Sequence, residues 1–302
     1  MKLATLRTPE GPHVVVVDGD EVADVTAADP RLGPDVGAVL AGGALDAVAA
    51  AARRAPRHPL DEALLGPPVL RPPKFLAIGL NYADHVRESG GEPPPHQVWF
   101  NKQSTCVTGP RDPIQVPVVS TKVDYEGELG IVIGRRCRHV PAARAAEVVA
   151  GFCVVDDVSV RDWQFRSPTW TMGKSFDTHG PVGPWVVTTD ELGDPHGLRL
   201  RTWVNGELRQ DARTDDLIFD CWAMVEHLTT AFTLEPGDVL ATGTPAGVGF
   251  AMDPASWLVP GDVVRIEVEG VGTIENPVEA EPSPLAGETS PGSAVPAGDG
   301  GR

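Results

Sequence analysis

The chain has 302 residues, 41% of them hydrophobic, and a formal charge of −17 at pH 7. That length supports one large domain, or a large and a small one, around a real core. So negative a balance repels a phosphate backbone and excludes nucleic acid as the expected partner. No apolar run approaches the ~18 residues of a membrane span, and the first residues, Met1 to Arg7, lack the long apolar stretch of a signal peptide. The four cysteines, Cys106, Cys137, Cys153 and Cys221, form no Cys-x-x-Cys pair. Read as reduced thiols, they fit a cytoplasmic protein without a structural zinc site.

Residues 1 to about 70 read as a small first unit. His13–Val17 is a strand followed by an Asp18-Gly19 turn. Residues 36–51 read as one helix with Gly42-Gly43 inside it, and the proline-rich 56–73 reads as a linker. A second, larger unit spans 74–281. Phe75–Ile78 is a buried strand, 81–88 a short helix, and Ser89–Pro95 a flexible piece then a stiff one, which suits a lid hinge or only a loop.

The next block, Asp124 to Gly134, carries the strongest chemical signal. Its end is apolar and β-branched, as in a buried strand, and its start bears Glu126 and Glu128. Residues i and i+2 of a strand share a face, so the two acids stand side by side. Unpaired and buried they would be costly, and a hard divalent cation is the usual remedy. The alternative is a solvated edge with two surface glutamates. Residues 142–149 read as a helix, and Gly151–Val155 as a buried strand running into Asp156 and Asp157. Either aspartate offers a third metal carboxylate or a helix cap.

Two further groups point to catalysis. His85 and Glu88, at i and i+3, share a helix face, so the carboxylate can orient the imidazole as a general base; a solvated ion pair has the same spacing. Lys174 stands in a turn-rich stretch, residues 173–184, where a lysine can meet a carboxylate or an enolate oxygen, or can equally be solvated. Asn205-Gly206 marks a hairpin between residues 199–204 and 207–210. Residues 217–232 form an amphipathic helix on which His227 reads as packing. Glycines at alternate positions in 243–249 allow close backbone approach around Thr244, without the Gly-Lys-Ser/Thr ending of a phosphate loop. Two last strands, 263–268 and 273–278, precede 282–302, a Pro-, Gly- and Ser-rich stretch that reads as a disordered tail.

Five of these blocks, 79–88, 125–134, 157–164, 173–185 and 242–249, together resemble the fumarylacetoacetate hydrolase family, and most closely its bacterial acylpyruvate and 2,4-diketo sugar-acid hydrolases. The resemblance implies an α+β, β-rich fold, a mixed β-sandwich roll with a small N-terminal domain, and a homodimer. It implies that Glu126, Glu128 and Asp157 hold Mg²⁺ (Mn²⁺ or Ca²⁺ in some members), with Asp156 where the family often has Asn. It implies that His85 and Glu88 form a water-activating dyad on a lid helix. Arg161, Gln164 and Lys174 match positions that hold substrate oxygens and the oxyanion, and Thr244 a contact to the substrate carboxylate. The activity so implied is hydrolysis of a C–C bond in a small 2-oxo acid, an acylpyruvate, through a metal-bound enolate. Oxaloacetate decarboxylation or 2-hydroxy-diene-dioate isomerisation is the alternative on the same scaffold. A non-enzymatic binding protein is a third reading, opposed by the presence of every matched residue.

Overall fold

A computed structural model describes residues 1–88 and 90–282. The tail read at 282–302 lies, apart from Pro282, outside the described residues. The fold is the expected strand-rich α+β type. A large mixed sheet has Gly127–Ile133 near its middle, flanked by Val149–Asp156 on one side and Val239–Ala241 on the other. Beyond Val149–Asp156 lies Gly180–Thr188, then Lys2–Thr8, Gly11–Asp18 and Glu21–Asp24. Beyond Val239–Ala241 lie Phe75–Gly79, in parallel, and Val98–Lys102. A second sheet orders Glu207–Arg213, Arg199–Val204, Val263–Val268, Gly272–Ala280 and Ile114–Val116.

Gly127–Ile133 is buried along its whole length because both of its faces are covered. Leu129, Ile131 and Ile133 face one core with Leu200, Ile266 and Ile274 of the second sheet and Met224 and Leu228 of the helix Cys221–Ala231. Val132 faces a second core with Leu3, Phe75 and Val239. A strand buried on both sides carries a continuous apolar run, which is what residues 129–133 show. Gly130 interrupts it because a Cβ there would meet Cys153 Sγ at 2.8 Å.

Several local expectations are corrected. The helix expected over 36–51 is two, Val36–Ala41 and Leu45–Ala52, broken at the Gly42-Gly43 pair. The segment read as a linker pairs: Arg57–Pro59 extends the edge of the large sheet, and Leu65–Gly66 pairs with Lys2–Thr8. Proline is tolerated at such an edge, where no partner needs its missing N–H. Residues 142–147 form a 3₁₀ helix instead of an α-helix. Asp124 to Gly134 is not one strand, since Val123–Asp124 pairs with Ser159–Val160 and the chain then re-enters the large sheet at Gly127. His227 is exposed, not packed. The first 66 residues join the larger unit through pairing of Lys2 and Leu3 with Val187 and Val186. Among the described residues no helix is long and apolar enough to cross a membrane.

Candidate active site

The site is built from the ends of two antiparallel strands. Gly127 pairs with Asp156 and Glu128 with Val155, so the start of one strand lies beside the end of the other. That register brings Glu126 and Glu128 against Asp157, whose N–H donates to Glu126 O at 2.9 Å. One ligand atom from each of the three carboxylates lies within 4.8 Å of the others, and all three residues are buried. Asp156 turns elsewhere: its Oδ1 accepts the Glu126 N–H at 2.9 Å. Its Oδ2 is buried without a hydrogen-bond partner, and burial pushes its pKa up to about 7.

Three buried cations answer this charge. Lys174 Nζ donates to Glu126 Oε2 at 2.6 Å and to Asp157 Oδ2 at 2.7 Å. Lys102 Nζ donates to Asp157 Oδ1 at 2.7 Å. Arg161 grips Asp124 Oδ2 through Nε and Nη2, at 2.9 and 2.7 Å, and pairs with Glu126 Oε1 at 2.6 Å. Gln164 Oε1 accepts from the same guanidinium at 2.9 Å. The loop bearing Lys174 sits tight on the helix Arg161–Gln164: a Cβ at Gly173 would lie 2.2 Å from Gln164 N.

The cluster remains short of positive charge. Burial opposes ionisation of Glu126, but Lys174 and Arg161 override it and hold that carboxyl at about 2. Glu128 has no direct ion pair, since Lys174 bonds to the other two acids and acts on Glu128 only through its charge. Its one hydrogen bond is from Gly243 N–H, at 2.7 Å. Burial first, then the charges of Asp157 and Glu126, push its pKa well above the usual carboxylate range. Five buried carboxylates (Asp124, Glu126, Glu128, Asp156, Asp157) meet three buried cations (Lys102, Lys174, Arg161), an excess of two negative charges when all are ionised. An all-oxygen, doubly negative cluster is the donor set of a hard divalent cation, so the residues fit such an ion.

The helix Ala83–Glu88 covers the same space. His85 Nδ1 lies 3.3 Å from Glu88 Oε2, and Glu88 Oε1 in turn accepts the Gly247 N–H at 3.0 Å. Glu88 therefore orients the imidazole and fastens the helix to the glycine-rich loop at once. With Nδ1–H donated to Glu88, Nε2 keeps its lone pair. His85, Glu126, Glu128, Arg161, Gln164, Lys174 and Thr244 all line one cavity of about 460 Å³.

Seven of the residues singled out from the sequence thus line one cavity, while Asp157 is buried in the carboxylate cluster and Glu88 stands behind His85. Two are more committed than expected. Arg161 spends its guanidinium on Asp124, Glu126 and Gln164. Thr244 Oγ1 donates to Gly127 O at 3.1 Å and accepts from Gln210 Nε2 at 2.8 Å. Sequence reasoning missed Lys102, Asp124 and Gln210. Asp124 accepts from Gly249 and Phe250 N–H as well as from Arg161, tying the glycine-rich loop to the cluster. Lysine is scarce in this chain, and that scarcity was the one signal that could have marked Lys102.

The fumarylacetoacetate (FAA) hydrolase C-terminal family model matches residues 74–279. Three solved structures superpose over 93% of this chain and the whole of their own. The fumarylacetoacetate hydrolase of Exiguobacterium antarcticum is 35% identical with a TM-score of 0.81. The maleylpyruvate hydrolase of Sphingobium sp. SYK-6, in complex with manganese(II) and pyruvate, is 36% identical with a TM-score of 0.76. The 5-carboxymethyl-2-hydroxymuconate delta-isomerase of Mycobacterium smegmatis is 38% identical with a TM-score of 0.74. Its relatives are hydrolases and isomerases, its strands carry the fold of those enzymes, and the chain belongs to the fumarylacetoacetate hydrolase family.

Proposed function

We propose that the protein is a divalent-metal-dependent hydrolase that cleaves a C–C bond in an acylpyruvate or related 2,4-diketo acid. The observation that carries this reading is the shared cavity. Three buried carboxylates form one wall, and a histidine whose Nδ1 is held by Glu88 faces the same space. The manganese and pyruvate named in the maleylpyruvate hydrolase complex support it.

Glu126, Glu128 and Asp157 would hold the cation, Mg²⁺ in this proposal, with Mn²⁺ or Ca²⁺ as alternatives. When bound, it supplies Lewis-acid polarisation to the oxygens of a 2-oxo acid. His85 takes a proton from water at Nε2, and Glu88 stabilises the imidazolium through Nδ1–H. The hydroxide adds to the acyl carbon. The C–C bond then breaks, and its electron pair stays with the pyruvyl carbon, which takes up the proton. The products are a carboxylate and pyruvate. Lys174 offsets charge on the oxyanion, and Gln164, whose carbonyl oxygen is occupied by Arg161, has its amide N–H groups for a substrate oxygen. Arg161 fixes Gln164 and the carboxylate wall around the substrate. Thr244 contacts the substrate carboxylate by turning its hydroxyl away from Gly127.

The proposal includes a cytoplasmic homodimer without nucleic-acid or membrane partners. The test is pyruvate release from an acylpyruvate with added Mg²⁺ or Mn²⁺, compared with the same assay in EDTA. An isomerase is the second reading, favoured by the likeness to the M. smegmatis delta-isomerase. It needs proton transfer but no attack by water, so diene-acid isomerisation without pyruvate release would select it.

A further inference from the structure

We infer that the group carried on the acyl carbon of the substrate is apolar, aryl or alkyl, and that a second carboxylate at that position is rejected. The inference rests on the 2-oxo acid reading above and deepens it. Beyond the carboxylate wall, the cavity is lined by Ile78, Leu80, Phe165, Trp170, Val248 and Phe250. Phe165 and Phe250 lie with ring centroids 5.5 Å apart, yet they are 57% and 48% exposed. Two large apolar rings left open beside a polar centre are the wall that an apolar substituent would cover.

Trp170 is seated by design of the backbone beneath it. A Cβ at Gly79 would come within 2.4 Å of the indole Cζ3, so only glycine lets the ring lie against this strand end. Trp170 also meets Phe100 edge-on, with centroids 5.6 Å apart. Trp170 is therefore packed in place.

Charge points the same way. Among the described residues that line the cavity, the lysine and arginine side chains are Lys174 and Arg161. Each already pairs with two carboxylates: Lys174 with Glu126 and Asp157, Arg161 with Asp124 and Glu126. The remaining titratable liner outside the metal cluster is His85, whose Nδ1 is held by Glu88 and whose Nε2 keeps a lone pair that a carboxylate cannot bond. A far carboxylate would lose water against aromatic rings and find no cation free to pair with it, which is costly.

The test compares two 2,4-diketo acids that share the pyruvyl end. Benzoylpyruvate ends in a phenyl ring and maleylpyruvate in a second carboxylate. The expected result with the Mn²⁺-loaded enzyme is a kcat/KM for benzoylpyruvate higher by about tenfold or more, the usual discrimination of an apolar pocket. Phe165→Lys should shrink or reverse that ratio by placing a cation in the wall. Equal or preferred use of maleylpyruvate by the wild-type enzyme overturns the inference. If neither compound is cleaved, the hydrolase reading fails on its own account. Calorimetric binding of the two compounds to the His85→Ala variant then decides the pocket question: tighter benzoylpyruvate supports it, and tighter or equal maleylpyruvate overturns it.

Discussion

The carboxylate cluster and the histidine helix face one cavity but are held in opposite ways. Glu126, Glu128 and Asp157 lie at the adjoining ends of paired core strands and are buried, and lysine and arginine from three separate segments pair with Glu126 and Asp157. His85 and Glu88 ride on the six-residue helix Ala83–Glu88, partly exposed, next to Gly90 with its φ of +69°. Glu88's grip on the Gly247 N–H is a hydrogen bond from that helix to the opposite loop. A net hydrogen bond of this kind contributes about 1 kcal/mol, far less than the packing that fixes a core strand. The carboxylate half is thus held by core strands and buried ion pairs, while the proton-transfer half is a short surface helix anchored by buried Val86 and by Glu88.

The two halves should separate on mutation. The largest effect is expected for Glu128→Gln, which removes the one acid of the three without a cationic partner. Mn²⁺ binding by calorimetry and turnover should both fall to background. The metal-free protein should gain about 1–3 kcal/mol in urea unfolding at neutral pH, because folding no longer has to bury a carboxyl that is ionised in the unfolded chain. A metal-free protein weakened by this change would contradict the burial cost assigned to Glu128.

Next comes the dyad. His85→Ala or Glu88→Gln should lower hydrolysis by ~10²–10⁴ and leave metal affinity unchanged. Lys102→Met then probes the cluster without touching the helix. It strips Asp157 of one partner and should cost about 3–5 kcal/mol in urea unfolding, as breaking a buried pair does. A loss within error of zero would mean that Asp157 is compensated by Lys174 alone.

The smallest expected effect lies outside both halves. His179 is buried and donates from Nε2 to Gln115 O at 2.8 Å, and burial holds its pKa at about 4, below the ordinary 6.5. Between those values the unfolded chain binds a proton that the native one refuses, so stability should rise with pH through this window. The gain should total about 3 kcal/mol, and His179→Gln should flatten it without altering the metal dependence of turnover.

How far these features show in the amino-acid order depends on range. Glu126 and Glu128 are visible through i, i+2 spacing at the start of an apolar run, although Glu126 falls one residue before the strand, and residues 129–133 announce a buried strand. His85 and Glu88 are visible through helical spacing. Lys102 is silent: it reaches Asp157 from 55 positions away, across strands whose pairing no local pattern reports. Asp124 is equally silent, since its partners Arg161, Gly249 and Phe250 come from two distant segments. Residues 57–66 misled because prolines punctuate a sheet edge as readily as a linker. Trp170 over Gly79 shows only in three dimensions, although the glycine that ends a buried strand was in plain view.

The central claim is that a carboxylate-held divalent cation and the His85 base act together to break a C–C bond. Pyruvate release from benzoylpyruvate, measured in wild-type and His85→Ala protein with the Mn²⁺ dissociation constant of each, tests it most directly. The account predicts rapid release by the wild type that EDTA abolishes, a variant slowed by ~10²–10⁴, and equal dissociation constants. Wild-type release by the variant, or release unaffected by EDTA, would contradict it.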